Sequence, residues 1–171
     1  FSQNAAIKSV KLPATLQSVG SYAFGLNSAL ESVEIAAEKI KLGQYAFSNC
    51  TSLKSISINA AVIPAGAFNE CNALTNVTFG PDVSVIGEYA FRNTRVESFT
   101  LADGNGYLKS CDGGKYLTNL QGDEIMLVAP ATRELTVNDS KIKSVGLGAF
   151  SGCAFLESVR IPSVTRVGNY A

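Results

Sequence analysis

Four cysteines, Cys50, Cys71, Cys111 and Cys153, are the most reactive side chains in this 171-residue sequence, and thiolate chemistry or metal ligation is what they could do. Neither has its usual helpers. Histidine is absent, which removes the commonest general base, the usual partner of a nucleophilic Ser or Cys, and the commonest metal ligand. No Cys-x-x-Cys pair occurs, so zinc is disfavoured as well. Asp103-Gly104-Asn105-Gly106 opens like a calcium loop, but such a loop needs a third oxygen ligand at 107, Gly at 108 and Glu at 114, where the chain has Tyr107, Leu108 and Gly114. The same four residues lack the strand and helix context of a phosphate loop, and a tight turn is expected instead. Asp123 and Glu124 are adjacent and would face opposite ways on a strand, which spoils them as an acid/base pair. Tyr22, Tyr45, Tyr89 and Tyr170 could form an aromatic ladder for sugars, or could pack their rings and keep their hydroxyls wet. Absence of Trp weighs against the sugar platform. No catalytic set can be assembled, so the expectation is a protein that is not an enzyme, with no cofactor and no metal.

Composition narrows the partners. Acidic and basic residues balance at fourteen each, and without a basic footprint nucleic acid is a poor guess. No apolar run approaches the roughly 18 to 20 residues that cross a bilayer, and no basic segment followed by an apolar one opens the sequence. Nearly half of the residues are apolar, enough for one continuous core.

What positions these residues is a repeated phrase. Its openings read Ile7-Lys8-Ser9-Val10-Lys11-Leu12, Leu30-Glu31-Ser32-Val33-Glu34-Ile35, Leu53-Lys54-Ser55-Ile56-Ser57-Ile58 and Leu74-Thr75-Asn76-Val77-Thr78-Phe79, with two more from Val96 to Leu101 and from Leu156 to Ile161. Its closings are Ala23-Phe24, Ala46-Phe47, Ala67-Phe68, Ala90-Phe91 and Ala149-Phe150, so the unit is about 21 to 23 residues long. Each opening alternates as a short strand does, with Val10 and Leu12 on one side and Ser9 and Lys11 on the other. A second apolar pair, such as Leu16 and Val19 or Val83 and Ile86, predicts a second strand-like edge. Gly20, Gly43, Gly87, Gly146 and Gly168 then read as turn residues needing a conformation that side chains resist. The Ala-Phe pair should follow in a helical or 3₁₀ turn, with Phe as a core plug. No coil of this size buries its own apolar set, so the coils must stack as a solenoid. A β-sandwich would instead expect hairpins between antiparallel neighbours and no fixed place for Ala-Phe.

The wording of the unit, above all Val19-Gly20-Ser21-Tyr22-Ala23-Phe24, Leu42-Gly43-Gln44-Tyr45-Ala46-Phe47-Ser48-Asn49-Cys50 and Ile86-Gly87-Glu88-Tyr89-Ala90-Phe91, resembles the BspA-type leucine-rich repeats of bacterial surface proteins. The resemblance covers nearly the whole chain. It implies a right-handed leucine-rich-repeat coil with short parallel strands, an extracellular or cell-surface location, and a part in adhesion to host proteins or other cells.

Cys50, Cys71 and Cys153 each lie three residues after a Phe plug, where other units have Asn27 and Thr94. A register-locked cysteine reads as a small buried thiol, with a disulfide between neighbouring coils as the alternative. The environment of Cys111 is not legible. The period breaks between Phe91 and Phe150, 59 residues apart where two units would take about 46. Turn signals at Asp103 to Gly106, Asp112-Gly113-Gly114 and Gln121-Gly122-Asp123 make the segment from about 103 to 131 an inserted β-meander. The expected organisation is a single solenoid domain over 1–171. With no polar cap visible at its last coil, it reads as a piece of a longer protein.

Stacked in register, the outward positions of the opening strands form two columns. One runs Ser9, Ser32, Ser55, Asn76, Ser98, Glu134 and Ser158, and the other Lys11, Glu34, Ser57, Thr78, Thr100, Thr136 and Arg160. A flat face of short hydroxylated side chains has little entropy to lose and many hydrogen bonds to offer. The expected ligand-binding face is therefore Ser32, Glu34, Ser55, Ser57, Asn76, Thr78, Ser98 and Thr100, facing a protein ligand and helped by the insertion from about Asn105 to Ala129. A passive spacer, or carbohydrate recognition, are the alternatives.

Overall fold

The computed structural model describes all of residues 1–171. Alternation turns the openings into strands: Ile56 and Ile58 point inward and are buried, while Ser55 and Ser57 are exposed. Five such strands, β1 (Ser9–Leu12), β3 (Ser32–Ile35), β5 (Ser55–Ile58), β7 (Asn76–Phe79) and β9 (Ser98–Leu101), form one parallel sheet in chain order. The second edge appears as two-residue strands, β2 (Ser18–Val19), β4 (Lys41–Leu42), β6 (Val62–Ile63) and β8 (Val85–Ile86), paired two by two. With the coils that follow the insertion, this is a parallel β-solenoid of about seven turns with almost no helix.

Between the two sheet edges runs a stack of rings. Phe1, Phe24, Phe47, Phe68 and Phe91 lie face to face, with neighbouring centroids 5.3 to 5.5 Å apart. Phe1 thus continues the stack of plugs by one ring beyond Phe24. Leu30, Leu53, Leu74 and Val96, the first residues of their phrases, are fully buried beside the stack.

Two details of the turn differ from the sequence reading. The Ala-Phe segment is not helical: it is a chain of separate turns, with Ala23 N–H donating to Gly20 C=O at 3.2 Å and Gly25 N–H to Tyr22 C=O at 2.9 Å. Left-handed residues at Tyr22 (φ 56°) and Leu26 (φ 62°) stop any helix from propagating. The register glycines are also not the left-handed residues. Their role is close approach, because a Cβ on Gly43 would strike the backbone nitrogen of Ser21 in the coil before, and one on Gly87 would come within 2.6 Å of Ala65 N. At Gly20 a Cβ would meet nothing within 4 Å.

The insertion is a meander as expected: β10 (Leu108–Cys111), β11 (Tyr116–Asn119) and β12 (Glu124–Val128) pair antiparallel. One short 3₁₀ turn, Asp112–Gly114, joins the first two. The meander does not project as an appendage. Leu117, Ile125, Val128 and Ala129 are fully buried, and Gly114 abuts the Phe99 carbonyl so closely that a Cβ would collide with it. Strand β12 then pairs in parallel with β14 (Ser144–Val145), which pairs with β16 (Arg166–Val167), so the insertion takes the place of a short strand. The remaining long strands, β13 (Glu134–Thr136) and β15 (Ser158–Arg160), pair only with each other.

Candidate binding face

Parallel pairing puts Ser32 beside Ser55, Ser55 beside Asn76, and Asn76 beside Ser98. Ser57, Thr78 and Thr100 form the second column in the same way. Of the eight residues expected on the face, seven are exposed and Thr78 is half-buried. Their free valences differ. Glu34 is engaged by Lys11, Nζ to Oε1 2.9 Å, and Asn76 accepts a bond from Thr75 Oγ1 at 2.8 Å. Ser55, Ser57 and Thr78 at the middle of the sheet, and Thr100 on its edge strand β9, keep their hydroxyls open.

The columns are shorter than the sequence predicts. Between Ser98 and Glu134 the sheet is interrupted: β9 is its last strand, and the chain returns from the meander on one bond, Ala131 N–H to Val96 C=O at 2.9 Å. The meander supplies strands to the short-strand edge and none to the long one, so Glu134, Thr136, Ser158 and Arg160 lie on a separate two-stranded sheet. At the interruption Glu97, Thr132, Arg133, Glu134 and Glu157 border a recess of about 420 Å³. Arg133 Nη1 meets Glu157 Oε1 at 3.2 Å, and Thr132 Oγ1 is buried without a partner. The 59-residue gap signalled the interruption, but nothing in the residue types placed these side chains together.

The other candidates resolve locally. Asn27, Cys50, Cys71 and Thr94 share a register because each must be small and must donate. Asn27 Nδ2 and Thr94 Oγ1 bond the Phe carbonyl of their own coil at 2.9 and 2.8 Å. Cys50 and Cys71 donate to that of the coil before, each at 3.1 Å. All four cysteines are free thiols; Cys50 and Cys71 are buried as expected, whereas Cys153 is only half-buried. Burial still pushes the Cys153 thiol up to about 12, raises that of Cys71, and lifts the Tyr116 hydroxyl to about 12.

Tyr22 and Tyr45 stack on each other at 5.1 Å with 8° between planes, so each covers a ring face that a sugar would need. Gly66 holds the next place and lets the Tyr45 ring lie over it, while Tyr89 carries the Arg92 guanidinium 5.6 Å above its centre. The turn expected at Asp103 to Gly106 centres on Asp103-Gly104 and is closed by Asn105 N–H donating to Ala102 C=O at 3.3 Å; Asn105 Oδ1 then accepts from Tyr107 and Leu108 N–H at 3.0 and 2.9 Å.

Six copies of the BspA-type leucine-rich repeat model match the sequence, over residues 1–111 and 131–171. The chain belongs to the BspA-type leucine-rich repeat family. Most of the meander, 112–130, falls outside the matched residues, in keeping with its irregular place in the BspA-type coil. Among curated proteins none matches the sequence. Of solved structures, the pneumococcal vaccine antigen PcpA is 18% identical with a TM-score of 0.62, over 96% of this chain and 36% of that one. A leucine-rich repeat protein from Eubacterium ventriosum is 16% identical with a TM-score of 0.65, over 95% of this chain and 50% of that one. These likenesses establish the fold. The BspA-type chain thus spans about a third to a half of the solved proteins it resembles. None of its helices is long and apolar enough to cross a membrane.

Proposed function

We propose that this BspA-type solenoid is a non-catalytic binding module of a bacterial surface protein, and that the exposed face of its five-stranded sheet receives a protein ligand. One observation carries the reading: Ser55, Ser57, Thr78, Ser98 and Thr100 stand in register on adjacent parallel strands, short, polar and turned to solvent. Such a surface gives up little side-chain entropy on contact and offers donors and acceptors over several coils, which suits a broad, wet interface. Solenoids commonly bind along an extended face of this kind. The recess bordered by Glu97, Arg133 and Glu157 ends the face on one side and gives a ligand a register mark.

The competing reading is a passive spacer, favoured by the meander, which is a buried joint between two stacks and not a mobile lid. Biolayer interferometry against a panel of immobilised extracellular proteins separates the two. Saturable binding to at least one is expected, and none across the panel would favour the spacer.

A further inference from the structure

Coil length varies at one place. Five residues separate Leu12 from Ser18, Ile35 from Lys41 and Phe79 from Val85, but only Asn59, Ala60 and Ala61 separate Ile58 from Val62. The missing residues leave a notch between the coils on either side, off the sheet face, with a volume of about 590 Å³. Lys39 and Lys41 form one wall, Asp82 the other, Asn59 and Ala61 the floor, and Tyr107 one end. The same short coil lacks a ladder bond. Gly43 N–H donates to Val19 C=O and Gly87 N–H to Ile63 C=O, each at 2.7 Å, but the equivalent residue here is Pro64, which has no N–H. No strand pairing joins β4 to β6, and the notch lies over that seam.

The floor is firmly built. Asn59 Nδ2 donates to Glu38 C=O at 2.6 Å and to Asp82 Oδ2 at 3.0 Å, while Asn59 Oδ1 accepts from Asp82 N–H at 2.9 Å. A Cβ on Gly80 would come within 2.5 Å of the Asn59 side chain, so the glycine is what lets that amide sit there. Lys39 Nζ reaches across to Asp82 Oδ2 at 3.4 Å. Lys41 has no acidic partner and keeps a free ammonium.

The volume falls in the range of small-molecule sites, about 300 to 1,000 Å³. Two ammonium groups against one carboxylate favour a guest with a single negative charge. Asp82 Oδ1 is an open acceptor, and the Gln17 amide and Ser18 hydroxyl on the border both donate and accept, which fits hydroxyl groups. Tyr107, 53% exposed, offers a ring face for an apolar surface. A hexuronic acid unit has all three features: one carboxylate, several hydroxyls and an apolar ring face. An acidic peptide has the carboxylates, but it lacks the hydroxyls and sets further charge against Asp82. We propose that the notch binds an acidic saccharide, with Lys41 on its carboxylate, Asp82 on a hydroxyl and Tyr107 against the sugar ring. This site is separate from the sheet face and does not depend on it.

Isothermal titration tests this with an unsulfated glucuronate-containing disaccharide, its carboxyl-reduced neutral counterpart and a hexaglutamate peptide. The proteins are the unaltered chain, Lys41→Gln and Ala61→Phe, both at exposed positions. The acidic disaccharide should bind the unaltered chain, and affinity should fall about tenfold or more in Lys41→Gln and with the neutral sugar, because a charge-assisted bond is lost. Ala61→Phe, which fills the floor, should abolish it with the thermal midpoint kept. Failure of the acidic disaccharide to bind at millimolar concentration, equal binding of the peptide, or undiminished binding in Lys41→Gln would each overturn the proposal.

Discussion

The ring of Phe47 lies face to face with that of Phe68, their centroids 5.5 Å apart and their planes 2° from parallel. Phe24 covers the other side of Phe47 at 5.3 Å, and no part of Phe47 is exposed. Removing this ring leaves a void that rigid neighbours on both sides cannot close. Phe47→Ala should therefore cost about 3 to 5 kcal/mol in equilibrium urea denaturation. A loss under about 1 kcal/mol would mean that the stack is not a continuous core.

Close approach between coils makes two glycines in the same register behave differently. A Cβ on Gly43 meets the Ser21 backbone, which cannot yield as a flexible side chain would, so Gly43→Ala should destabilise by about 1 to 3 kcal/mol. Gly20→Ala should stay within about 0.5 kcal/mol, because nothing lies within 4 Å. Equal losses in both would restore backbone conformation as the cause.

The cysteines make a chemical prediction. Under native conditions iodoacetamide should modify Cys111 and leave Cys50 and Cys71 intact, and all four should react in denaturant. A Cys50–Cys71 crosslink in the oxidised protein would contradict the thiol reading and strengthen an extracellular location.

Burial of thiols also sets a pH dependence. An unfolded thiol releases its proton near the ordinary value of 9.0, whereas Cys153 holds its proton up to about 12 and Cys71 is raised as well. Above pH 9 these two thiols thus hold more protons in the folded chain than in the unfolded one, while Cys50, held low by its hydrogen bond with the Cys71 thiol, works the other way. The Cys153 contribution is whole below 9 and is lost as pH rises toward 12. The urea midpoint should fall between about pH 8 and about pH 10.5, and Cys153→Ser should fall less. A flat profile would show that these thiols are not shielded.

How far the sequence could be read follows from which physical signals are local. Period-two alternation made strands such as Ser55–Ile58 legible, and the identical spacing of Ala-Phe placed the core plugs. The resemblance of the repeat phrases pointed to the family directly. Other features depend on what a neighbouring coil does. Gly43 looks like a turn residue until Ser21 is seen against it, and Cys50 looks arbitrary until the Phe24 carbonyl appears as its acceptor. Phe1 could be recognised as a plug only once Phe24 was found stacked on it at 5.4 Å. The interruption after Ser98 was audible in the spacing, but where the meander would add its strands depended on tertiary pairing. In the expected columns, Ser32, Ser55, Asn76 and Ser98 pair in register, as do Ser57, Thr78 and Thr100, because β-ladders repeat the same residue position from coil to coil.

The central claim is that a protein ligand docks on the sheet face, and the most direct test is the affinity of a Ser57→Arg/Thr78→Arg double variant for whichever extracellular protein the interferometry panel identifies. Ser57 and Thr78 are register partners on the open side of β5 and β7, so bulky charges there obstruct the face without entering the core. Affinity should fall about tenfold or more while the thermal midpoint stays where it was. Unchanged affinity in a folded double variant would contradict the account and move the contact off the sheet.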